Sequence, residues 1–439
     1  MFGRAQRSGW AWLVLASALG AAIGGMAQAQ TPPPAASPAS ASPVTSLSLD
    51  QAVRIALASN QTLRAQRLNI DQSRALEITA GLKPNPVLSL LSEDYRVFAP
   101  SNLTFANFRD NQSMTDSVTY LIERGGKRRK RIAVAQDTTR SVLETVGDAE
   151  RQIRFQVAQA FIGVLLANAN LDFSRQTLKE YTQEVEINRQ RLRAGDISNG
   201  DFLKLSLQQL QFEQDVKTAE LALAQAKTTL RQLLGFHTVA ERYDVDGSLD
   251  HKKRVFLLDE LEKQAVASRP DLRAAEIGVK VADEGVTLAY GNRARDLTAE
   301  GEYTRSGPIN GAGFGLSIEL PVHDRNQGEI ARTKFAATQS REVEAAARVS
   351  VLTDVINAFE AYRNSDQVVS MYENGYLEQS SKSREISLYS YHRGASTLLD
   401  LLDSERDYRA VQLAYRQALA AYDTSLEQIN SAVGAQVIP

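Results

Sequence analysis

The chain of 439 residues contains no cysteine. That excludes a disulfide-stapled scaffold, a thiolate-ligated metal centre, a thiol enzyme and a lipid carried on an N-terminal cysteine. Proline and glycine are scarce, 12 and 26 residues, and both cluster, so long stretches are free to be helical. Neither sign of charge dominates: 50 Lys and Arg stand against 52 Asp and Glu, leaving no sequence-wide basic field for nucleic acid. The histidines, His237, His251, His323 and His392, are far apart and form no HExxH or His-x3-His pairing. No protein-built metal site and no cofactor are therefore expected. No P-loop, GxSxG or nucleotide fingerprint occurs, so no enzymatic chemistry is expected either. Only the N-terminus carries an apolar run near membrane length, which excludes a polytopic helical membrane protein.

What is present starts with that run. Arg4 and Arg7 precede the apolar stretch Trp10 to Met26, and Ala27-Gln28-Ala29 follows it. A charged region, an apolar region and a small-x-small site predict a secretory signal over 1–29, with an uncleaved anchor as the alternative. Residues 30–46, rich in Pro, Ala and Ser, predict a disordered linker.

An internal repeat organises the remainder. A shift of 199 positions superposes Asp201 on Asp400, Leu203 on Leu402, Ala219 on Ala418, and Gly195 and Gly235 on Gly394 and Gly434. A shift of 209 superposes Asp50, Ala58, Ser59, Leu63, Arg64 and Ala65 on Asp259, Ala267, Ser268, Leu272, Arg273 and Ala274. Two structural duplicates of about two hundred residues follow from that order. In the first, a helix from Gln61 to Leu82 ends at Lys83-Pro84-Asn85-Pro86, where proline stops it. Two extended segments, a helix from Lys127 to Ala194, a turn at Gly195 to Gly200 and a return helix ending at Gly235 come next. The second half repeats this with helices Asp271 to Asn292, Glu329 to Arg393 and Leu398 to Val433 about a turn at Gly394. The boundaries read as first-half helices 47–86, a β-hairpin 87–123, a long helical hairpin 124–235 and a linker 236–258. They continue with second-half helices 259–296, a hairpin 297–321, a helical hairpin 322–434 and a tail 435–439. Helices this long without a globular partner are coiled-coil-like.

The extended segments alternate in polarity. Phe314, Leu316, Ile318 and Leu320 oppose Gly313, Gly315, Ser317 and Glu319; Thr298, Glu300, Glu302 and Thr304 form a polar face; Val118, Tyr120 and Ile122 oppose Ser117, Thr119 and Leu121. Such segments suit strands of a transmembrane β-barrel with a wet lumen, or equally a surface sheet on a helical core. Flanking helices too long for a compact domain favour the barrel. Four strands cannot close one, so several copies must share it: two would give eight strands and a filled lumen, three would give twelve and room for a pore.

At this point the pattern resembles the TolC family of outer-membrane efflux factors over nearly all of the mature chain. The resemblance rests on Leu49-Asp50-Gln51-Ala52 through Leu63; Lys83-Pro84-Asn85-Pro86; Glu123-Arg124-Gly125-Gly126-Lys127-Arg128-Arg129; Leu320-Pro321-Val322-His323-Asp324-Arg325-Asn326-Gln327-Gly328; and the turns near Gly195 and Gly394. The Gly-Gly-Lys-Arg and Asp-Arg-Asn-Gln-Gly segments are similar to its cobalt-zinc-cadmium branch. The resemblance implies an α+β membrane protein: a homotrimer with one shared twelve-stranded β-barrel in the bacterial outer membrane and a long α-helical barrel crossing the periplasm. It implies a passive export duct docked on a periplasmic adaptor (membrane fusion) protein and an inner-membrane efflux transporter, here for heavy-metal cations. The same channel serving drug efflux or type I protein secretion is an alternative, and a soluble periplasmic coiled-coil scaffold is another.

The resemblance also implies site residues. Asp400 and Asp403, three apart on one helix face, match the paired aspartates of the periplasmic entrance, where carboxylates ringing an axis favour cations and raise one another's pKa. Asp201 and Tyr391 match a gate latch. Ser396 stands where the family prototype has an arginine, and Arg393 is the candidate substitute. The turns at Gly195 and Asp196 and at Gly394 and Ala395 match the tips that meet the adaptor. The basic run Lys127 to Arg131 is expected to meet outer-membrane lipid phosphates or to line the barrel-to-helix junction. Asn102-Leu103-Thr104 has the form of a glycosylation sequon and carries no weight.

Overall fold

The computed structural model describes residues 46–93, 112–241 and 243–437. The signal-peptide reading over 1–29, nearly all of the linker, the Asn102 sequon and the distal part of the first hairpin lie outside the described residues. The first half contains β1 (Ser46–Leu47), α1 (Leu49–Ser59), α2 (Gln61–Gly81), β2 (Val87–Glu93), β3 (Ser113–Ile122), α3 (Lys127–Ala194) and α4 (Asn199–Leu234). The second contains β4 (Asp244–Val245), α5 (Leu258–Ser268), α6 (Pro270–Asn292), β5 (Leu297–Ser306), β6 (Ile309–Ile318), α7 (Gln327–Met371), α8 (Leu377–His392) and α9 (Leu398–Val433). At 1.5 Å per residue the 68 residues of α3 span roughly 100 Å.

The repeat extends to individual hydrogen bonds. Asn60 joins α1 to α2; its Oδ1 accepts from the amide of Leu63 and its Nδ2 donates to the Leu233 carbonyl at 2.9 Å. Arg269 holds the matching place between α5 and α6, and its Nη1 donates to the Ala432 carbonyl at 3.0 Å. Each closes the C-terminal carbonyls of the last long helix in its half, groups a helix leaves unpaired. Arg269 is 2% exposed and is kept charged by Asp271 at 2.6 Å and Asp354 at 2.9 Å. Behind these joints lie two separate cores. One holds Ala52, Ala56, Val157, Phe161, Val164, Leu230 and Leu234; the other holds Leu261, Ala265, Val351, Val355, Tyr362, Tyr422 and Val433. Each fully buried Val or Leu contributes on the order of 2 kcal/mol.

Two readings of the sequence need correction. The N-terminal run is not alone in being apolar enough to cross a membrane: α3 contains such a window as well. Of that window Val157, Ala158, Phe161, Ile162, Val164 and Ala167 are buried in the protein itself, about 33% of it, so part of the run serves core packing. The helix expected from Glu329 to Arg393 is not continuous. It breaks at a π turn, Tyr372–Tyr376, where Asn374 and Gly375 leave helical geometry and Gly375 has φ +146°. Before the break the buried residues Val351, Val355 and Val369 match Ile153, Val157 and Leu171 at a shift of 198. After it, Gly394 and Thr397 match Gly195 and Ser198 at 199. The break therefore accommodates one inserted residue at Asn374 and Gly375.

The four longer strands form one antiparallel sheet in the order β2-β3-β5-β6. Pairing of β3 with β5 along their whole length joins the hairpins of the two halves. The register puts Ser117 and Thr119 beside Glu302 and Glu300, and these beside Gly313 and Gly315. A Cβ at Gly313 would meet Glu302 Oε1 at 2.7 Å, so glycine is what lets the Glu302 side chain lie across the neighbouring strand. The opposite face carries Leu88, Leu90, Val118, Tyr120, Tyr303, Phe314 and Leu316, all exposed, with Phe314 at 95%. Gly307, with φ +59°, takes the first position of the two-residue turn between β5 and β6. Among the described residues β2 and β6 are open edges.

Where the sheet meets the helices, the sequence motifs form a collar. Gly125 and Gly126 (φ +70° and +66°) start α3, and Asn326 (φ +59°) starts α7. The Arg124 amide donates to Asp296 Oδ1 at 2.9 Å, Lys127 Nζ lies 2.8 Å from Asp296 Oδ2, and Asn326 Nδ2 donates to the Ala289 carbonyl at 2.8 Å. Arg128 Nε donates to the Gly81 carbonyl at 2.5 Å, and Arg131 pairs with Glu123. Three of the five basic residues thus line the junction. Gly125→Ala is expected to lower stability by about 3 kcal/mol, from a left-handed backbone and overpacking, since its Cβ would meet Gly291 O at 2.5 Å. Gly126→Ala, which meets only the flexible end of Arg129, costs about 1 kcal/mol by the same backbone argument. Loss of ellipticity at 222 nm on heating, at one scan rate, checks the order of the two variants.

Candidate functional site

The two helical turns are built alike. In each, a left-handed glycine ends the long helix, Gly195 with φ +87° and Gly394 with φ +71°. The next amide reaches back five residues, Asp196 to the Arg191 carbonyl at 2.9 Å and Ala395 to the Ser390 carbonyl at 2.9 Å, closing carbonyls that would otherwise be unpaired. No atom lies within 4 Å of a Cβ placed on either glycine, so both tips are open to solvent. The return helices start on matched caps. Ser198 Oγ accepts from the Asp201 amide at 3.0 Å, and Thr397 Oγ1 accepts from the Asp400 amide at 3.2 Å.

Asp201 and Asp400 are therefore cap residues before they are anything else. Asp400 Oδ2 accepts from the Thr397 amide at 2.9 Å and from its hydroxyl at 2.7 Å, completing a capping box. The Thr397 hydroxyl, then its amide, holds the Asp400 carboxyl below its ordinary range. Within one chain this is the reverse of the rise expected from crowding in a ring. Asp403, one turn on, pairs with Arg406 at 3.3 Å. Asp201 Oδ2 accepts from the Ser198 hydroxyl at 2.8 Å, and its Oδ1 lies 3.5 Å from Lys204.

The expected latch takes a different form in the chain. The Tyr391 hydroxyl donates to Asn188 Oδ1 at 3.0 Å rather than to Asp201. Burial raises the Tyr391 pKa, and the nearby charge of Asp201 adds to the rise. Arg393 is exposed and lies over the Tyr389 ring at 5.3 Å; it is not brought to Asp201.

Instead, a polar ladder joins α3 to α8. Glu180, Glu184 and Asn188 recur every four residues and so share one face of α3. Arg384 bonds Glu180 at 2.9 Å and Glu405 of α9 at 2.7 Å. His392 Nε2 lies 2.7 Å from Glu184 Oε1, and Asn188 Nδ2 donates to the same oxygen at 2.7 Å. Tyr181, Val185, Leu205, Phe212, Tyr391, Leu398 and Leu401 form a small apolar cluster alongside, with Tyr181 edge-on to Phe212 at 4.7 Å. A cavity of about 310 Å³ opens between Tyr181, Glu184, Arg384, Leu388 and Glu405. Glu180, Glu184, Asn188, Arg384, His392 and Glu405 are missed by sequence reasoning; the spacing of the first three is the only signal, and it equally describes a solvated face. Among the described residues no three His, Asp or Glu side chains are arranged to hold a metal ion.

Arg384 is the hub of this ladder, and Glu405, 6% exposed, depends on it. Arg384→Met is expected to destabilise by about 3 kcal/mol through the stranded Glu405 carboxylate, and Arg384→Met with Glu405→Leu to recover most of that loss. A double-mutant cycle on thermal unfolding measures the coupling; additive losses would remove the pair from the account.

Comparisons with known proteins agree with this geometry. The sequence matches the profile of the Outer membrane efflux protein family over residues 52–236 and 261–435, which takes in both repeats. It is 26% identical over 379 residues to the cobalt-zinc-cadmium resistance protein CzcC of Cupriavidus metallidurans, covering 84% of this chain and 85% of that one. Among solved structures it is similar to a membrane protein from Pseudomonas aeruginosa, with a TM-score of 0.75 at 18% identity over 88% of this chain and 92% of that one. It is also similar to CusC, with a TM-score of 0.72 at 18% identity over 89% and 94%. Likeness at that identity establishes the fold. With the profile spanning both halves, the chain belongs to the outer membrane efflux protein family, the TolC family, and is an efflux channel protein of the outer membrane.

Proposed function

We propose that three copies of this chain form one duct for export of heavy-metal cations, with a shared twelve-stranded barrel in the outer membrane and α3, α4, α7, α8 and α9 forming a helical barrel in the periplasm. The observation that carries this reading is the sheet: its exposed apolar face suits lipid, and its edges β2 and β6 need partners there, because unpaired backbone groups are not tolerated in hydrocarbon. Pairing β6 of one copy with β2 of the next satisfies both edges. The opposite face, with Glu300, Glu302, Ser117 and Thr119, then lines a wet lumen.

On this reading the turns at Gly195 and Gly394 form the periplasmic entrance. Their open tips suit contact with an adaptor that links the duct to an inner-membrane transporter, and Tyr391, Asn188, Glu184, Arg384 and Glu405 hold the closed state. Asp400 and Asp403 ring the axis. The Thr397 hydrogen bonds keep Asp400 ionised, so the ring stays negative and draws cations. Resistance to cobalt, zinc and cadmium in the name of a relative matched over 84% of this chain supports a metal cargo.

Because Asp400 is also a cap, Asn is the substitution that removes the charge and keeps the acceptor. In planar bilayers the purified protein is expected to give cation-selective steps blocked by divalent ions. Asp400→Asn with Asp403→Asn lowers the cation preference about tenfold, the low end of what a charged constriction achieves. Unchanged selectivity in a verified trimer would overturn the ring, and absence of any conductance from membrane-inserted protein would overturn the duct.

A further inference from the structure

Residues 246–257, without regular structure, run from β4 to α5 as a strap across α7 and α9. Two buried tyrosines pin its backbone. The Tyr362 hydroxyl accepts from the Arg254 amide at 3.0 Å and donates to the Arg254 carbonyl at 2.7 Å, and Tyr422 donates to the Lys252 carbonyl at 2.5 Å. His251, beside them, lies edge-on to the Tyr422 ring at 4.8 Å, its side chain 9% exposed. Its Nε2 is 3.0 Å from Asp366 Oδ1 in α7, and its Nδ1 is 2.8 Å from Glu373 Oε2 inside the π turn. The other Glu373 oxygen accepts from the Tyr415 hydroxyl of α9 at 3.0 Å. One side chain of the strap thus bridges the helix before its break to the break itself.

A carboxylate only accepts hydrogen bonds, and a neutral imidazole has one N–H to give. With a carboxylate on each ring nitrogen, only the imidazolium satisfies both. The groups around it are mostly acidic: Asp366 and Glu373 in contact, and Asp250 and Asp423 close by. Against them stand Lys253, 3.7 Å from Asp366, Lys252, 2.8 Å from Asp250, and Arg254. Burial pulls the His251 pKa down, but the bonds to Asp366 and Glu373 outweigh it and the net shift is upward. Asp423, pushed up to about 7 by burial and then by Asp250, titrates in the same range and needs its own control.

We infer that His251 is a proton-operated clasp beside a hinge in the second-half helix: charged, it ties Asp366 of α7 to Glu373 at the start of the break at Tyr372–Tyr376 and so fixes the near side of the hinge to the strap, and neutral, it releases one of them. The hinge is specific to this half. The matching stretch of α3 is unbroken, Asn168 stands at the place of Asp366, and its partner there is Asp244 at 3.4 Å. Beyond the hinge, α8 carries Arg384, Tyr391 and His392, the rungs of the ladder to α3. Since the folded pKa is raised above 6.5, the clasp is complete below that pH and is lost as pH rises through the raised value. Its consequence, an entrance that yields more readily at high pH, rests on the duct reading; the clasp itself does not.

Hydrogen exchange of the full chain in lipid nanodiscs, corrected for the intrinsic pH dependence of exchange, tests the clasp directly. Peptides covering Tyr372–Tyr376 are expected to lose protection about tenfold between pH 6 and pH 8.5 as the clasp is lost. His251→Gln and Glu373→Gln, each verified as folded by ellipticity, are expected to exchange fast at both pH values, and Asp423→Asn to keep the wild-type response. Wild-type protection that does not change with pH, or His251→Gln responding as wild type does, would overturn the clasp. Bilayer conductance adds a separate reading: pH-dependent opening lost in His251→Gln supports the link to the entrance. Conductance indifferent to pH while exchange responds overturns that link alone, and no conductance with exchange as expected overturns only the duct.

Discussion

The pairing of β3 with β5 is the contact on which the rest of the chain depends. Among the described residues each half contributes two strands to this sheet, and an isolated two-stranded ribbon is marginal in water. Joined along the full length of β3, the two hairpins become one surface with a mainly polar face and a mainly apolar face, the latter interrupted by Asp116 between Leu90 and Tyr303. A slip of one residue would exchange those faces along a whole strand, and the collar below the sheet opposes it. Asp296, just before β5, takes both the Arg124 amide and Lys127, which follow β3. Gly125 sits where any larger residue would meet the Gly291 carbonyl. Sheet register, the start of α3 and the end of α6 are therefore one structural decision, and the directions of both long helical hairpins follow from it.

Duplication supplied two copies of one solution, and the departures from symmetry are where function is most readily built. The joint after the first short helix is made by neutral Asn60 in one half and by charged Arg269 in the other, with the same carbonyl target. Burying Arg269 required Asp271 and Asp354 as partners, since a charge taken from water without them is strongly destabilising. The long helices differ more. The 68 residues of α3 are continuous, whereas its counterpart has taken up one extra residue at Tyr372–Tyr376. The inserted residue is absorbed where Asn374 and Gly375 leave helical geometry, which leaves a place where the two segments can bend relative to each other.

Much of this was legible in the sequence because it is periodic or local. Alternation in Leu297 to Arg305 and Gly313 to Leu320 gave the strands and their faces, glycines at 195, 235, 394 and 434 gave the helix ends, and the constant shift gave the repeat. What was not legible is what depends on partners distant in the chain. Glu184 and His392, or Asn188 and Tyr391, are about two hundred residues apart, and each looks alone like a solvated helix residue. His251 has no histidine near it in the sequence, and its partners are carboxylates of the second-half helix more than a hundred residues on. Gly375 in a helical pattern costs only about 1 kcal/mol relative to alanine, too little to mark a break. The apolar run in α3 shows the opposite failure, a local signal that composition alone leaves ambiguous and of which about 33% is taken up by burial within the chain.

The distribution of these contacts bears on how such a duct could move. The two large cores and the collar bind their elements by apolar burial and enclosed ion pairs, which cannot be exchanged for water without a cost of several kcal/mol. The end near Gly195 and Gly394 is held differently. Its apolar cluster is small, and apart from the enclosed Arg384–Glu405 pair its ladder consists of hydrogen bonds at the part-exposed side chains of Glu180 and His392, whose groups can turn to water at a net cost of about 1–3 kcal/mol each. Segments that move are drawn from the least stable parts of a fold, and here that part is the proposed entrance. The break at Gly375 lies between the two regimes. A displacement of α8 can therefore be absorbed at the hinge without disturbing Val351, Val355 and Tyr362 before it, so the turn end can rearrange while the sheet, the collar and the duplicated joints stay in place.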